Sequence, residues 1–343
     1  MNPTEPPAMS PTTPLADAHG RRITYLRLSI TDRCNLRCRY CNVRGTFKWL
    51  PHEAILRREE ILRMCRVLGR LGIRKVRLTG GEPLVRSDVV ELVQGLRSIP
   101  DIERVSLTTN AVLLEDKAAP LYEAGLRHIN ISLDTLRPER FQALTGRDAH
   151  RRVVRGIRAA VRAGYHPVKV NAVVIRGTND DEIRDLAALS LELPVQVRFI
   201  EFMPVGQDTG WSPDQLLSGE EIRREVERLT GPLAPVPRGR DAGPAAVFRA
   251  PGAPGEIGFI SAMSRHFCAD CNRVRITADG RLRLCLFSDE EIDVREALRG
   301  MDSDAALADF FREAVLRKPS GYAEQADPGQ APSCRRAMSA IGG

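Results

Sequence analysis

The sequence predicts an α/β fold, an incomplete TIM-like (βα)6 barrel followed by a small C-terminal segment. Six short apolar or β-branched stretches, 24–30, 74–79, 103–109, 128–133, 168–175 and 195–201, are each followed by a longer stretch of helical character. Strand and helix in alternation build a parallel sheet with right-handed crossovers, and six units in place of eight leave a side open for a large substrate. Five of the strands carry polar residues on one face only. A strand buried on both faces should be apolar throughout.

Taken in order, residues 1–20 hold Pro3, Pro6, Pro7, Pro11 and Pro14 and little that could pack, so a disordered leader is expected. The barrel is expected over 21–230. On its first long helix Ile61, Met64, Cys65 and Leu68 stand at i, i+3, i+4 and i+7, so Cys65 reads as core and not as a ligand. Residues 231–256 contain Pro232, Pro235, Pro237, Pro244, Pro251 and Pro254 with several glycines, the composition of a linker. The C-terminal segment is then 257–343.

The chain has 343 residues, 43% hydrophobic and 28% charged, with no apolar run near membrane-spanning length, so a core is expected and a membrane is not. The N-terminus lacks the basic start and apolar centre of an export signal. Eight cysteines then point to metal or redox use in a reducing, cytoplasmic setting. The net charge of +7 reflects either an arginine-favouring composition, since few of the 51 basic residues are lysine, or a polyanionic ligand. No dense basic run with interleaved aromatics suggests nucleic acid.

Alternation sorts each strand by face. Arg27 and Ser29 oppose Leu26, Leu28 and Ile30; Lys75, Arg77 and Thr79 oppose Val76 and Leu78. Ser106, Thr108 and Asn110 align, as do Asn130 and Ser132, and Lys169 with Asn171. The apolar faces must meet the helices, so the polar faces line the lumen. Several cations there are too costly as ordinary core and predict an anion site.

Cys34, Cys38 and Cys41 stand in C-x3-C-x2-C spacing just after the first strand. Three thiolates in so short a stretch fit soft-metal ligation better than disulfides. A four-iron cluster takes four ligands, so three leave one iron open for chemistry on a bound molecule. The next donor, His52, is not at zinc-finger spacing. A second set, Cys268, Cys271 and Cys285, again has no nearby fourth cysteine, with Cys334 far along the tail. The Asp279-Gly280 turn would fold Cys285 back over the first pair. By itself this set is compatible with a cluster or with zinc completed by His266. Thr79-Gly80-Gly81-Glu82-Pro83 lacks the glycine spacing and Lys-Ser/Thr ending of a P-loop.

Cys34, Cys38, Tyr40 and Cys41 resemble the signature of the radical S-adenosylmethionine superfamily, although Asn42-Val43 stands where Met-Pro is usual. The resemblance implies that the open iron chelates S-adenosylmethionine and that its cleavage gives a 5′-deoxyadenosyl radical. It also implies S-adenosylmethionine contacts from Tyr40, Gly81, Ser132 and the Met203 backbone. Cys268-x2-Cys271-Asn-Arg-x-Arg and the terminal Gly342-Gly343 are similar to the GTP 3′,8-cyclase family of molybdenum cofactor biosynthesis. That resemblance implies a lyase that removes H3′ from GTP and joins C3′ to C8. It implies two 4Fe-4S clusters, the second at Cys268, Cys271 and Cys285 and holding the guanine edge. GTP contacts are implied from Arg27, Arg77, Thr108, Lys169, Arg273, Val274 and Arg275. Implied partners are an electron donor protein and the next enzyme, cyclic pyranopterin monophosphate synthase; whether the chain is a homodimer stays open. The alternatives are another radical enzyme with an auxiliary cluster, or a non-enzymatic zinc or electron-transfer module. The double-glycine tail is expected to enter a narrow channel, with Arg335 and Arg336 as anchors.

Overall fold

The computed structural model describes residues 14–41, 49–206, 209–237, 239, 243–322 and 334–342. Six strands form its centre: β1 Tyr25–Ser29, β2 Lys75–Thr79, β3 Arg104–Thr109, β4 His128–Ser132, β5 Val168–Val174 and β6 Val195–Glu201. They lie side by side in chain order and are parallel throughout. Helices α1 Arg58–Arg70, α2 Val89–Arg97, α3 Leu114–Glu123, α4 Pro138–Thr145, α5 His150–Arg162 and α6 Ile183–Glu192 return the chain between them, and α7 Gly219–Thr230 follows β6.

Local chemistry sets several of these boundaries. Pro138 opens α4, where its missing N–H costs nothing, and Gly146 closes it with a left-handed φ of 70°. Ser218 and Glu221 form a reciprocal capping box at the start of α7. On α1, Ile61, Met64, Cys65 and Leu68 are all buried, as the helical stripe predicts. The outward strand residues Leu26, Leu28, Val76, Leu78, Leu107, Ile131, Val170 and Val197 meet the helices in one continuous apolar core.

Two expected boundaries are corrected. The 231–256 stretch is not a bare linker. β7 Ala234–Pro235 and β8 Ala246–Arg249 pair antiparallel, β8 pairs with β9 Glu256–Ile260, and β9 runs parallel to β6. Pro235 sits on the outermost strand of the sheet, where a missing ladder donor is tolerated. The C-terminal part is not a separate appendage either. β10 Arg273–Ile276 pairs parallel with β1, and β11 Arg281–Arg283 and β12 Ile292–Asp293 follow antiparallel. The second half of the chain therefore extends both edges of the six-stranded sheet. Helices α8 Val294–Gly300, α9 Asp304–Leu316 and α10 Met338–Ile341 complete it.

Residues 14–20, expected within a disordered leader, are ordered. Residues 1–13 lie outside the described residues, but Leu15 is buried and exchanges backbone bonds with Leu71 and Ile23. Burial of one leucine against the end of α1 orders a segment that its prolines alone would leave loose. Among the described residues, no helix is long and apolar enough to cross a membrane.

Candidate active site

A cavity of about 600 Å³ fills the lumen, and both cysteine sets line it. Parallel register places its cations in rows. Arg275, Arg27 and Arg77 stand side by side on β10, β1 and β2. The next row is Arg273, Tyr25, Lys75 and Arg104. Lys169 lies between Asn130 and Gln196, and Asn171 between Ser132 and Arg198. Like charges in neighbouring strand positions repel, so this arrangement favours an anion between them.

The groups already there compensate in part. Arg77 donates from Nε to the Tyr25 hydroxyl at 2.6 Å and from Nη1 to Thr108 Oγ1 at 3.3 Å. Lys75 Nζ sits 4.5 Å over the Tyr25 ring. Burial opposes ionisation of Tyr25, yet the positive Arg77, Arg27 and Lys75 pull its phenol down to about 7. Burial and neighbouring cations pull Lys169 down to about 7, and burial, offset in part by Tyr25, pulls Lys75 down to about 8. Among the described residues, Arg27 Nε, Asn130 Oδ1 and Asn171 Oδ1 are buried with no hydrogen-bond partner. The Arg27 Nε donor is what a bound polyanion would satisfy, whereas the two amide oxygens call for a donor such as a hydroxyl or an N–H of the same ligand.

Arg27, Arg77, Thr108, Lys169, Arg273 and Arg275 all line the cavity. Val274 does not fit a side-chain contact with GTP. It pairs with the outward Leu26, is 2% exposed and packs in the core. Strand alternation turns it away from its two arginine neighbours. Sequence reasoning passed over Arg104, Gln196 and Arg198. The signal was present in the alternation of Val195-Gln-Val-Arg198, whose polar members share the lumen face.

The first cysteine set lies on the loop after β1. The Cys34 sulfur accepts from Leu36 N at 3.4 Å and Asn110 Nδ2 at 3.7 Å. Gly81 allows this loop to sit close: a Cβ there would lie 2.4 Å from the Arg33 carbonyl oxygen, and its N–H donates to Thr31 O at 2.8 Å. The Tyr40 hydroxyl donates to Asp134, which also accepts from Val173 N at 2.8 Å. Burial pushes the Cys34 thiol up to about 11; burial and Cys34 push Cys41 up to about 12; burial, Cys41 and Asp134 push Cys38 well above its ordinary value. Three half-buried cysteines whose thiols resist ionisation alone fit a cationic metal core that would hold them as thiolates. Tyr40, Gly81, Ser132 and Met203 line the same cavity.

The second set closes the opposite wall. β10 and β11 form the predicted hairpin, with Gly280 at φ 75° in its turn, and bring Cys285 beside Cys268 and Cys271 at the cavity. Here the charge environment is reversed. Burial raises the Cys271 thiol, but Lys318 and Arg273 outweigh it and the net shift is downward. His266, the donor considered for zinc, instead stacks on Tyr322 at 4.2 Å and bonds from Nδ1 to the Ala262 carbonyl. Among the described residues, no three cysteine, histidine or carboxylate groups converge as one bound ion requires. A four-iron cluster spreads its thiolates over separate irons and has no such requirement.

Residues 334–342 bring the tail against the polar face of the barrel strands. Arg336 pairs with Asp279 and Glu291 at 2.7 Å each, and Arg335 with Asp289 at 3.6 Å. Gly342 then lies buried at φ 82°, its carbonyl accepting from Arg275 Nη1 at 2.6 Å. A Cβ at 342 would lie 2.2 Å from Thr79 Oγ1. Gly343 lies outside the described residues.

Comparison with known proteins fits this geometry. The Radical SAM superfamily model matches residues 28–190 and the Molybdenum Cofactor Synthesis C model residues 195–324, so the boundary between them falls at β6. The GTP 3′,8-cyclase of Moorella thermoacetica is 49% identical over 329 residues, 96% of this chain and 100% of that protein. The chain belongs to the GTP 3′,8-cyclase family. The GTP 3′,8-cyclase of Thermodesulfovibrio yellowstonii is 45% identical over 330 residues, again 96% and 100% of the two chains. The fold is also that of Streptococcus suis SuiB, solved bound to S-adenosylmethionine, at TM-score 0.59 and 17% identity, covering 94% of this chain and 78% of that one.

Proposed function

We propose that the protein is a cytoplasmic lyase converting GTP to (8S)-3′,8-cyclo-7,8-dihydroguanosine 5′-triphosphate, the first step of molybdenum cofactor biosynthesis. One observation carries the reading: a single cavity joins two three-cysteine sets across a cationic lumen. Cys34, Cys38 and Cys41 would hold one 4Fe-4S cluster, and Cys268, Cys271 and Cys285 a second. With S-adenosylmethionine bound, the group held by Cys34, Cys38 and Cys41 would supply the 5′-deoxyadenosyl radical chemistry.

The remaining tasks fall to this chain's own side chains. Tyr40, Gly81, Ser132 and the Met203 backbone bound the S-adenosylmethionine end of the cavity. Arg27, Arg77, Thr108 and Lys169 take the triphosphate, with Lys75 and Arg198 beside them, and Arg273 and Arg275 orient it toward the second cysteine set. Charge-assisted hydrogen bonds are worth about 1.5–3 kcal/mol each, so a few suffice to fix a mobile triphosphate. The product is an isomer of GTP, so the hydrogen lost from C3′ must be made good by an electron and a proton. An electron donor protein is therefore a required partner, and cyclic pyranopterin monophosphate synthase is the product's acceptor.

The test is anaerobic turnover of the iron-loaded protein with GTP, S-adenosylmethionine and a reductant. GTP-dependent 5′-deoxyadenosine and a cyclised isomer of GTP are expected. Release of 5′-deoxyadenosine without any altered GTP would overturn the substrate assignment.

A further inference from the structure

Lys318 differs from the lumen cations. It follows α9 and is 4% exposed. Its Nζ donates to the Arg273 carbonyl at 3.0 Å and to the Leu284 carbonyl. Among the described residues no carboxylate pairs with it. An ammonium has three donors, so one N–H is left, and the residue lines the cavity. A buried cation without a counter-charge is costly and needs an anion beside it.

The two carbonyls show where that anion belongs. Arg273 is two residues past Cys271, and Leu284 directly precedes Cys285. The neighbouring residues complete the enclosure. Arg21 donates to the carbonyls of Cys268 at 2.9 Å, Ser320 at 2.7 Å and Pro319 at 2.5 Å, and is itself held by Asp17 at 2.6 Å. A Cβ on Gly321 would lie 3.1 Å from Cys268 Cβ. The segment 318–321 thus touches the backbone or side chain around all three cysteines of the second set. No motif in the sequence marks it.

We infer that Lys318 is the resident counter-cation of the group held by Cys268, Cys271 and Cys285, and the positioning residue that keeps Cys271 and Cys285 at cluster spacing. This rests on the two-cluster reading above. A four-iron core with three thiolates carries net negative charge and becomes more negative when reduced. A fixed ammonium beside it favours the reduced state, so removing that charge makes the reduction potential more negative.

The test compares holoenzyme from the parent with Lys318→Met, which keeps length and loses charge, and Lys318→Arg, which keeps charge. The readouts are iron content and a redox titration followed by electron paramagnetic resonance. The signal perturbed by S-adenosylmethionine marks the first cluster and serves as the internal control for folding. In Lys318→Met the second signal is expected to titrate at more negative potential, or to be lost with about four irons, while the first signal is unchanged. Lys318→Arg is expected to restore both. A second signal at the parent's potential in Lys318→Met overturns the inference, as does an Arg variant that behaves like Met. A parent holding about four irons instead of about eight overturns the two-cluster reading itself, a result distinct from either.

Discussion

The two cysteine sets face each other across one cavity and have opposite surroundings. The first is flanked by Asp134 and Glu82, and its thiols are all pushed upward. The second is flanked by Lys318 and Arg273, and Cys271 is pulled down. Both sets hold three cysteines, so their number does not distinguish them. The contrast lies in the charge packed behind the sulfurs. A wall with carboxylates and a tyrosine suits a zwitterionic, sulfonium-bearing ligand such as S-adenosylmethionine, whereas a cationic wall suits the anionic nucleotide end. The lumen arginines continue that positive field from the second set down to β2.

The largest expected effect follows from breaking one side only. Cys34→Ala, Cys38→Ala or Cys41→Ala should abolish 5′-deoxyadenosine release, because no reactive cluster assembles. Cys268→Ala, Cys271→Ala or Cys285→Ala should leave S-adenosylmethionine binding and lose cyclised product. Measuring 5′-deoxyadenosine and product together separates them, and normal release from any first-set variant would refute its catalytic role.

Next comes the tail that reaches between the two walls. Deleting Gly342 and Gly343, or making Gly342→Ala, should lower cyclised product about a hundredfold, since a displacement of about 1 Å can cost that much. Iron content should stay near the parent's in both variants, and melting in the deletion, because the Arg336 pairs with Asp279 and Glu291 remain; Gly342→Ala should also melt earlier, since its Cβ would meet Thr79. Unchanged turnover in the deletion would show an idle terminus.

Lumen variants should act on the nucleotide side. Lys169→Ala or Arg77→Ala should weaken GTP binding by about 10- to 100-fold, the range of one lost charge-assisted bond, and spare S-adenosylmethionine. Guanosine should lose less than GTP; equal losses would remove these residues from the phosphate site. Lys169 also gives a pH signature. With its free-state pKa down to about 7, it is protonated below that value and must take up a proton to bind a triphosphate above it. GTP affinity should therefore fall as pH rises from about 7 to about 9, and Lys169→Met should make the fall shallower without removing it, since Tyr25 and Lys75 titrate in the same window.

The smallest effect is expected at Cys65, fully buried on α1. Cys65→Ala should lower stability by about 1–2 kcal/mol with both iron sites and turnover intact. Loss of iron would make it a ligand.

The sequence by itself determined the strands, their faces and the cysteine sets. These are local properties: period-two alternation put Arg27, Arg77 and Lys169 on one face, and a Cys-x2-Cys spacing needs no tertiary context. It also marked the Asp279-Gly280 turn that returns Cys285, because a turn is written in adjacent residues. Tertiary structure decided what non-adjacent packing controls. A proline-rich stretch became strands β7 and β8 at one end of the sheet because β9 offered an open ladder beside β6. The segment around Cys268 joined the barrel because β10 found the free edge of β1. The Val274 side chain turned away from the lumen because its register partner is the outward Leu26. Lys318 gained its meaning only when the fold set it against the carbonyls of Arg273 and Leu284, residues 45 and 34 positions away. No local pattern encodes such a contact, since burial of a charge is decided by what the rest of the chain packs around it.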